Sequence, residues 1–120
     1  MNFNDNQPIY MQIIDYVKKE IIKGELKEGD KLDSVRDMST KMKVNPNTIQ
    51  RSYQELEREG LVATQRGMGT FVTEDVLIIK KLKKSMACNI VNGFISEMKE
   101  LGYNPGQIID LINDNVEEVE

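Results

Sequence analysis

The chain has 120 residues, 39% of them hydrophobic and 30% charged, with a formal net charge of −4. That is enough apolar material for one domain, or a small domain with an appendage, and leaves no room for a separate catalytic domain beside a second module. With a single cysteine, Cys88, and no histidine, an intrachain disulfide, the common zinc spacings and the usual general base near neutral pH are excluded, so no metal, cofactor or enzymatic activity is expected. No apolar run approaches the roughly 18 residues a membrane span needs, and the first residues lack a basic-then-apolar run. The expected compartment is the cytoplasm, with no membrane partner.

In chain order, Pro8 opens a first helix whose stripe Ile9, Ile13, Val17 and Ile21, backed by Ile14 and Tyr16, ends near Lys23-Gly24. A charged turn over residues 25–30 follows, and Lys31-Leu32 reads as a short extended stretch. Ser34 then caps a short helix over residues 35–42, with Val35, Met38 and Met42 at helical spacing and Asp37 in the first turn, where the helix dipole favours an acid. Lys43-Val44-Asn45 forms the turn, Val44 plugging the gap between helices. Asn45 caps the next helix and Pro46 takes its first position, where a missing N–H costs nothing.

On that helix Ile49, Ser52, Tyr53 and Leu56 face inward, which turns Asn47, Thr48, Gln50, Arg51 and Gln54 outward. Asn and Gln side chains can pair with adenine, Arg with guanine, and Thr with bases or phosphates. Glu59-Gly60 ends the helix. Two short strands, residues 61–65 and 70–73, flank a hairpin tip of Arg66-Gly67-Met68-Gly69, whose arginine can enter a minor groove or clamp a phosphate. Two helices joined by a tight polar turn and followed by a β wing have the outline of a DNA reader. By spacing alone, a solvated outer face fits the pattern equally well.

The acidic total is uneven. Residues 1–73 carry 11 basic and 11 acidic side chains, residues 74–120 carry 5 and 9, so the deficit lies wholly in the second part. Within residues 35–54 Arg36, Lys41, Lys43 and Arg51 face only Asp37. A phosphate feels this local balance, since salt screens fields beyond about 8 to 10 Å.

After Glu74-Asp75 a long helix carries Ile79, Leu82, Met86, Ile90, Phe94, Met98 and Leu101 at steps of three or four. At about 1.5 Å per residue it extends roughly 35 to 40 Å, more than one small domain covers. Gly102 stops it, and Asn104 and Pro105 start a last helix with Ile108, Ile109, Leu111, Ile112 and Val116 on its apolar face, returning antiparallel. Such an excess of apolar surface is most simply buried against a second copy, giving a two-fold homodimer with Leu82, Met86, Ile90, Phe94, Met98, Ile108 and Ile112 in the seam. Folding of the hairpin back on its own domain is the alternative. Cys88 reads as a small core or interface residue. Lys80, Lys81, Lys83 and Lys84 suit flanking phosphates or a solvated face alike.

The expected fold is therefore mostly α with a small β wing: a winged helix-turn-helix over residues 7–73, then a helical dimerisation hairpin over residues 74–120. Leu32, Ser34, Arg36, Val44, Asn47, Thr48, Leu56, Gly60, Leu61, Gly67, Gly69, Thr70, Phe71 and Val72 match in register the pattern of the GntR family of bacterial transcription regulators. Pro8-Ile9-Tyr10 with Gln12-Ile13 resembles the opening of the same domain. The form Val44-Asn45-Pro46-Asn47-Thr48-Ile49, in so short a chain, is similar to the YtrA-type subgroup.

The resemblance implies that Arg36 touches phosphate, that Asn45, Pro46, Thr48, Gln50 and Arg51 lie at the major groove, and that Arg66 and Gly67 reach the minor groove. Ser34, Asn47 and Gly69 complete the expected DNA-binding set. It also implies two dimerising C-terminal helices and control of neighbouring transporter genes. Asp33, Ser39 and Lys43 depart from the family's proline, alanine and glycine; a lysine at that turn needs a left-handed backbone, costing roughly 1 kcal/mol. Gln50 and Pro46 stand where many relatives carry arginine.

The function expected is repression by a dimer bound to a pseudo-palindromic operator of double-stranded DNA. With only two C-terminal helices there is no obvious effector pocket; an effector would have to bind between hairpin and reader. The reading from another class is a protein-interaction module that uses the winged helix as a scaffold for an acidic hairpin.

Overall fold

A computed structural model describes residues 2–117. Its elements follow the punctuation of the chain. Helix α1 (Ile9–Lys23) begins after Pro8 and ends at Gly24, whose φ of 83° is the left-handed close that glycine permits. Ile13, Val17 and Ile21 are buried on one face of it. Gln12 shares that face. Its amide nitrogen donates to the Asn4 and Gln7 carbonyls at 2.9 and 2.8 Å, and its oxygen accepts from the Asn4 N–H at 3.0 Å, which removes the cost of burying it.

Helix α2 (Val35–Met42) is capped by Ser34, and α3 (Pro46–Arg58) by Asn45. Strands β1 (Val62–Gln65) and β2 (Gly69–Val72) pair antiparallel, Val62 opposite Val72 and Gln65 opposite Gly69. Lys31 bridges Phe71 on the far side of β2, and Leu32 N–H donates to the Thr70 carbonyl at 2.8 Å. The extended stretch expected at Lys31-Leu32 thus sits beside the wing. Ile13, Val17, Leu32, Met38, Met42, Ile49, Tyr53, Leu56, Leu61 and Val72 meet in one core.

Helix α4 (Val76–Glu100) starts with the Asp75 side chain accepting from Leu77 N–H, and α5 (Pro105–Asn115) starts in a reciprocal capping box between Asn104 and Gln107. The described residues fall into two compact units divided between Lys83 and Lys84, about ten residues beyond the expected boundary at Thr73. The reason is local: Ile78, Ile79 and Leu82 of α4 pack onto the winged-helix core.

Two residues expected in the dimer seam already have neighbours within the chain. Leu82 is half-buried against that core, and Ile108 is buried at 4% exposure. A stripe at helical spacing records that a face is covered, not what covers it. Met86, Ile95, Met98 and Leu111 are half-buried, and other apolar residues of the second unit stay open, with Ile90 70% and Val116 60% exposed. Phe94, Met98, Leu111, Ile112, Asn115 and Val116 line an apolar groove of about 450 Å³. Among the described residues no helix is long and apolar enough to cross a membrane.

Candidate nucleic-acid interface

The turn between α2 and α3 is closed from inside. Lys43 adopts φ 59°, ψ 47°, its N–H donating to the Ser39 carbonyl, while the Ser39 hydroxyl donates to the Val44 carbonyl. Lys43 is the single non-glycine residue with positive φ among those described, and the strain expected from its sequence position is present. Asn45 Oδ1 accepts from the Asn47 N–H at 2.8 Å. Its oxygen is thereby committed to the cap, leaving the amide N–H groups for a ligand. Ser34 is likewise engaged, its Oγ accepting from Asp37 N–H at 3.0 Å, with the hydroxyl proton free to donate.

Helix α3 is two-faced. Ile49, Ser52, Tyr53 and Leu56 are buried, Asn47, Gln50, Arg51 and Gln54 are exposed, and Thr48 is half-buried at the margin. The inner face is anchored by polar contacts as well as packing. Ser52 Oγ donates to the Tyr10 and Thr48 carbonyls, and Tyr53 OH donates to the Asp33 carbonyl at 2.8 Å. Burial, reinforced by the Asp33 carboxylate, pushes the Tyr53 hydroxyl well above its ordinary value and keeps it a neutral donor. At the far end Lys18 pairs with Glu59 at 3.0 Å.

The wing is fastened to α3 where Glu57 Oε2 accepts from the Thr64 N–H at 3.0 Å. Its tip, Arg66-Gly67-Met68, is exposed, with Gly67 at φ 78°. Gly69 has φ 123°, a backbone that favours glycine, and a Cβ there would lie 2.6 Å from Lys31 Cε and push that flexible side chain aside. Between α3 and the wing runs a cleft of about 380 Å³, its lining including Ser34, Gln50, Gln54, Thr64, Gly67 and Thr70. Exposed Arg36, Lys43, Arg51 and Arg66 belong to the same unit.

An exposed helix with polar side chains matches the width of a major groove, and a narrow hairpin beside it matches the adjacent minor groove. All eleven residues expected to bind DNA lie on α2, its cap, α3, its cap, or the wing, Gly69 at the first position of β2. Pro46 has no donor to offer and can make apolar contact only.

Four participants were not singled out from the sequence as parts of the site. Tyr10 bonds to α3 through Ser52, Gln12 ties residues 4–7 to the start of α1, Glu57 holds the wing, and Lys31 fills the space Gly69 leaves. Tyr10 and Lys31 depend on partners distant in the chain, and Gln12 and Glu57 on partners across a turn, for which helical or strand spacing carries no signal; Tyr10 and Gln12 had entered only as part of the matching domain opening.

The model of the gntR family of bacterial regulatory proteins matches residues 9–72. The chain belongs to the gntR family. Its similarity extends past the winged helix: the HTH-type transcriptional regulator YhcF of Bacillus subtilis is 45% identical over 108 residues, covering 90% of this chain and 89% of that one. The HTH-type transcriptional repressor YtrA of the same organism is 52% identical over 68 residues, 57% of this chain and 52% of its own length. A GntR family transcriptional regulator from Listeria monocytogenes superposes with a TM-score of 0.88 at 46% identity, covering 98% of this chain and all of that one. This gntR regulator is thus a DNA-binding transcription factor of winged helix-turn-helix fold with YtrA-type relatives.

Proposed function

We propose that this gntR regulator is a cytoplasmic repressor that binds a pseudo-palindromic operator as a two-fold dimer. The observation that carries the reading is the division of α3: four residues packed into the core and Asn47, Gln50, Arg51 and Gln54 presented outward from it. In this reading Arg51 and Gln50 meet base edges in the major groove, joined by Asn47, Thr48 and the free amide of Asn45, with Pro46 against them. Arg36 and Ser34 hold phosphate, and Arg66, carried on Gly67 and Gly69, enters the minor groove.

Pairing of two copies is supported by the open apolar face of the second unit. Met86, Ile90, Phe94, Met98 and Ile112 form the seam, joined by Val116, whose side chain is 60% exposed. Left in water, such a face invites association. Two-fold pairing sets two copies of α3 one turn of DNA apart or a multiple, and a promoter so occupied is closed to polymerase. Repression is supported by the name of the YtrA relative; the promoters of the chain's own gene and of neighbouring transporter genes are the DNA to test first.

The test is fluorescence anisotropy with the own-promoter duplex and an unrelated duplex at two salt concentrations. The expected result is preferential binding to the promoter that weakens with salt, the logarithmic slope being about −0.9 per phosphate neutralised. Arg51→Ala should cost about 1 to 3 kcal/mol on the promoter if it pairs with guanine. Equal, weak binding to both duplexes would overturn the operator assignment and favour a scaffold whose hairpin binds protein.

A further inference from the structure

Arg51 has a fixed aromatic neighbour. Its guanidinium carbon lies 3.6 Å from the centroid of the Tyr10 ring, a stacking distance at which the negative face of the ring attracts the cation. Among the described residues the Arg51 side chain makes no ion pair; the pairs present join Lys18 to Glu59, Lys41 to Asp33 and Arg58 to Glu55. Stacking occupies the flat face of the guanidinium and leaves its N–H edges free. Those edges are what reach O6 and N7 of guanine or two phosphate oxygens.

Tyr10 is held independently of Arg51. Its carbonyl accepts from Ser52 Oγ at 3.0 Å, Ser52 is fully buried, and the ring packs against the winged-helix core. Two residues on, the hydrogen bonds of Gln12 tie the preceding segment to the start of α1. The ring is therefore a platform set by the fold, 41 positions from the arginine it carries.

We propose that Tyr10 is a positioning residue for DNA reading, its ring restricting Arg51 in the free protein to an orientation with both N–H edges open. An unsupported arginine samples many rotamers and loses that freedom on binding; a stacked one has already lost it. The proposal rests on Arg51 meeting DNA, so the test measures that first.

The experiment is a double-mutant cycle read by anisotropy on the promoter duplex, with thermal melts of every variant. If Arg51→Ala binds as wild type, the contact assigned to Arg51 falls, and Tyr10 loses its role with it. If Arg51→Ala weakens binding, the Tyr10 substitutions decide. Tyr10→Leu and Tyr10→Gln, which remove the ring in different ways, should weaken binding about three- to tenfold, whereas Tyr10→Phe keeps the stack and should stay within about twofold. In the Arg51→Ala background the same losses should shrink below about twofold, because nothing is left to position. Three results would overturn the proposal: Tyr10→Phe as weak as Tyr10→Leu, which would assign the effect to the hydroxyl; a loss undiminished without Arg51; or Tyr10→Leu and Tyr10→Gln binding as tightly as wild type.

Discussion

The two units of this regulator finish their interiors differently. In the first, three helices, a hairpin and the opening turns of α4 close over Ile13, Val17, Ile49 and Leu56 until each is 0% exposed. In the second, Ile108 is buried while Ile90, Val91, Leu101, Ile109, Ile112 and Val116 remain open. Both are built mainly of capped helices, so helix formation does not separate them. What separates them is where the apolar surface is covered: inside the chain for the reader, and for the hairpin, in the proposed dimer, by a second copy.

The largest effect should come from opening the closed unit. Leu56→Ala should lower unfolding free energy by about 2–5 kcal/mol, measured by denaturant titration, while Ile90→Ala should cost little at concentrations where the protein is monomeric. Equal losses would break the contrast between the units. Next, Phe94→Glu should weaken self-association at least about a hundredfold, roughly 3 kcal/mol, by putting a charge into an apolar seam. Sedimentation reads the mass directly; an unchanged dimer would place the seam elsewhere.

Much of this was legible beforehand, and the reasons are local. Ser34, Asn45-Pro46 and Asn104-Pro105 mark helix starts because a capping side chain and its N–H lie within three residues of each other, and all three caps are present. The inner and outer faces of α3 followed from its period. What spacing could not carry was the identity of the covering surface, hence the different fates of Leu82 and Ile108. Nor could it carry contacts between distant positions, such as Tyr10 with Arg51, or across a turn, such as Glu57 with Thr64.

Smaller effects sharpen the reader's side of the comparison. Asn45→Ala removes the acceptor for the Asn47 N–H and should cost about 1 kcal/mol of stability, visible as a lower melting temperature, in addition to any loss of DNA affinity. Lys43→Gly should move stability the other way by roughly 0.5 to 1 kcal/mol, by relieving the left-handed strain at φ 59°. Its accompanying loss of one cation should show only as a slightly shallower salt dependence.

The outer face of α3 has a consequence for how this molecule can change over generations. Asn47, Gln50 and Gln54 engage no side-chain hydrogen bond among the described residues and support no part of the core. Their replacement should leave folding nearly untouched, so in the proposed reading the preferred operator can drift by single steps while the scaffold stays constant. Asn45 is the exception within that face. Serving both as cap and as a candidate contact, it ties one letter of the recognised sequence to the survival of the helix that reads it.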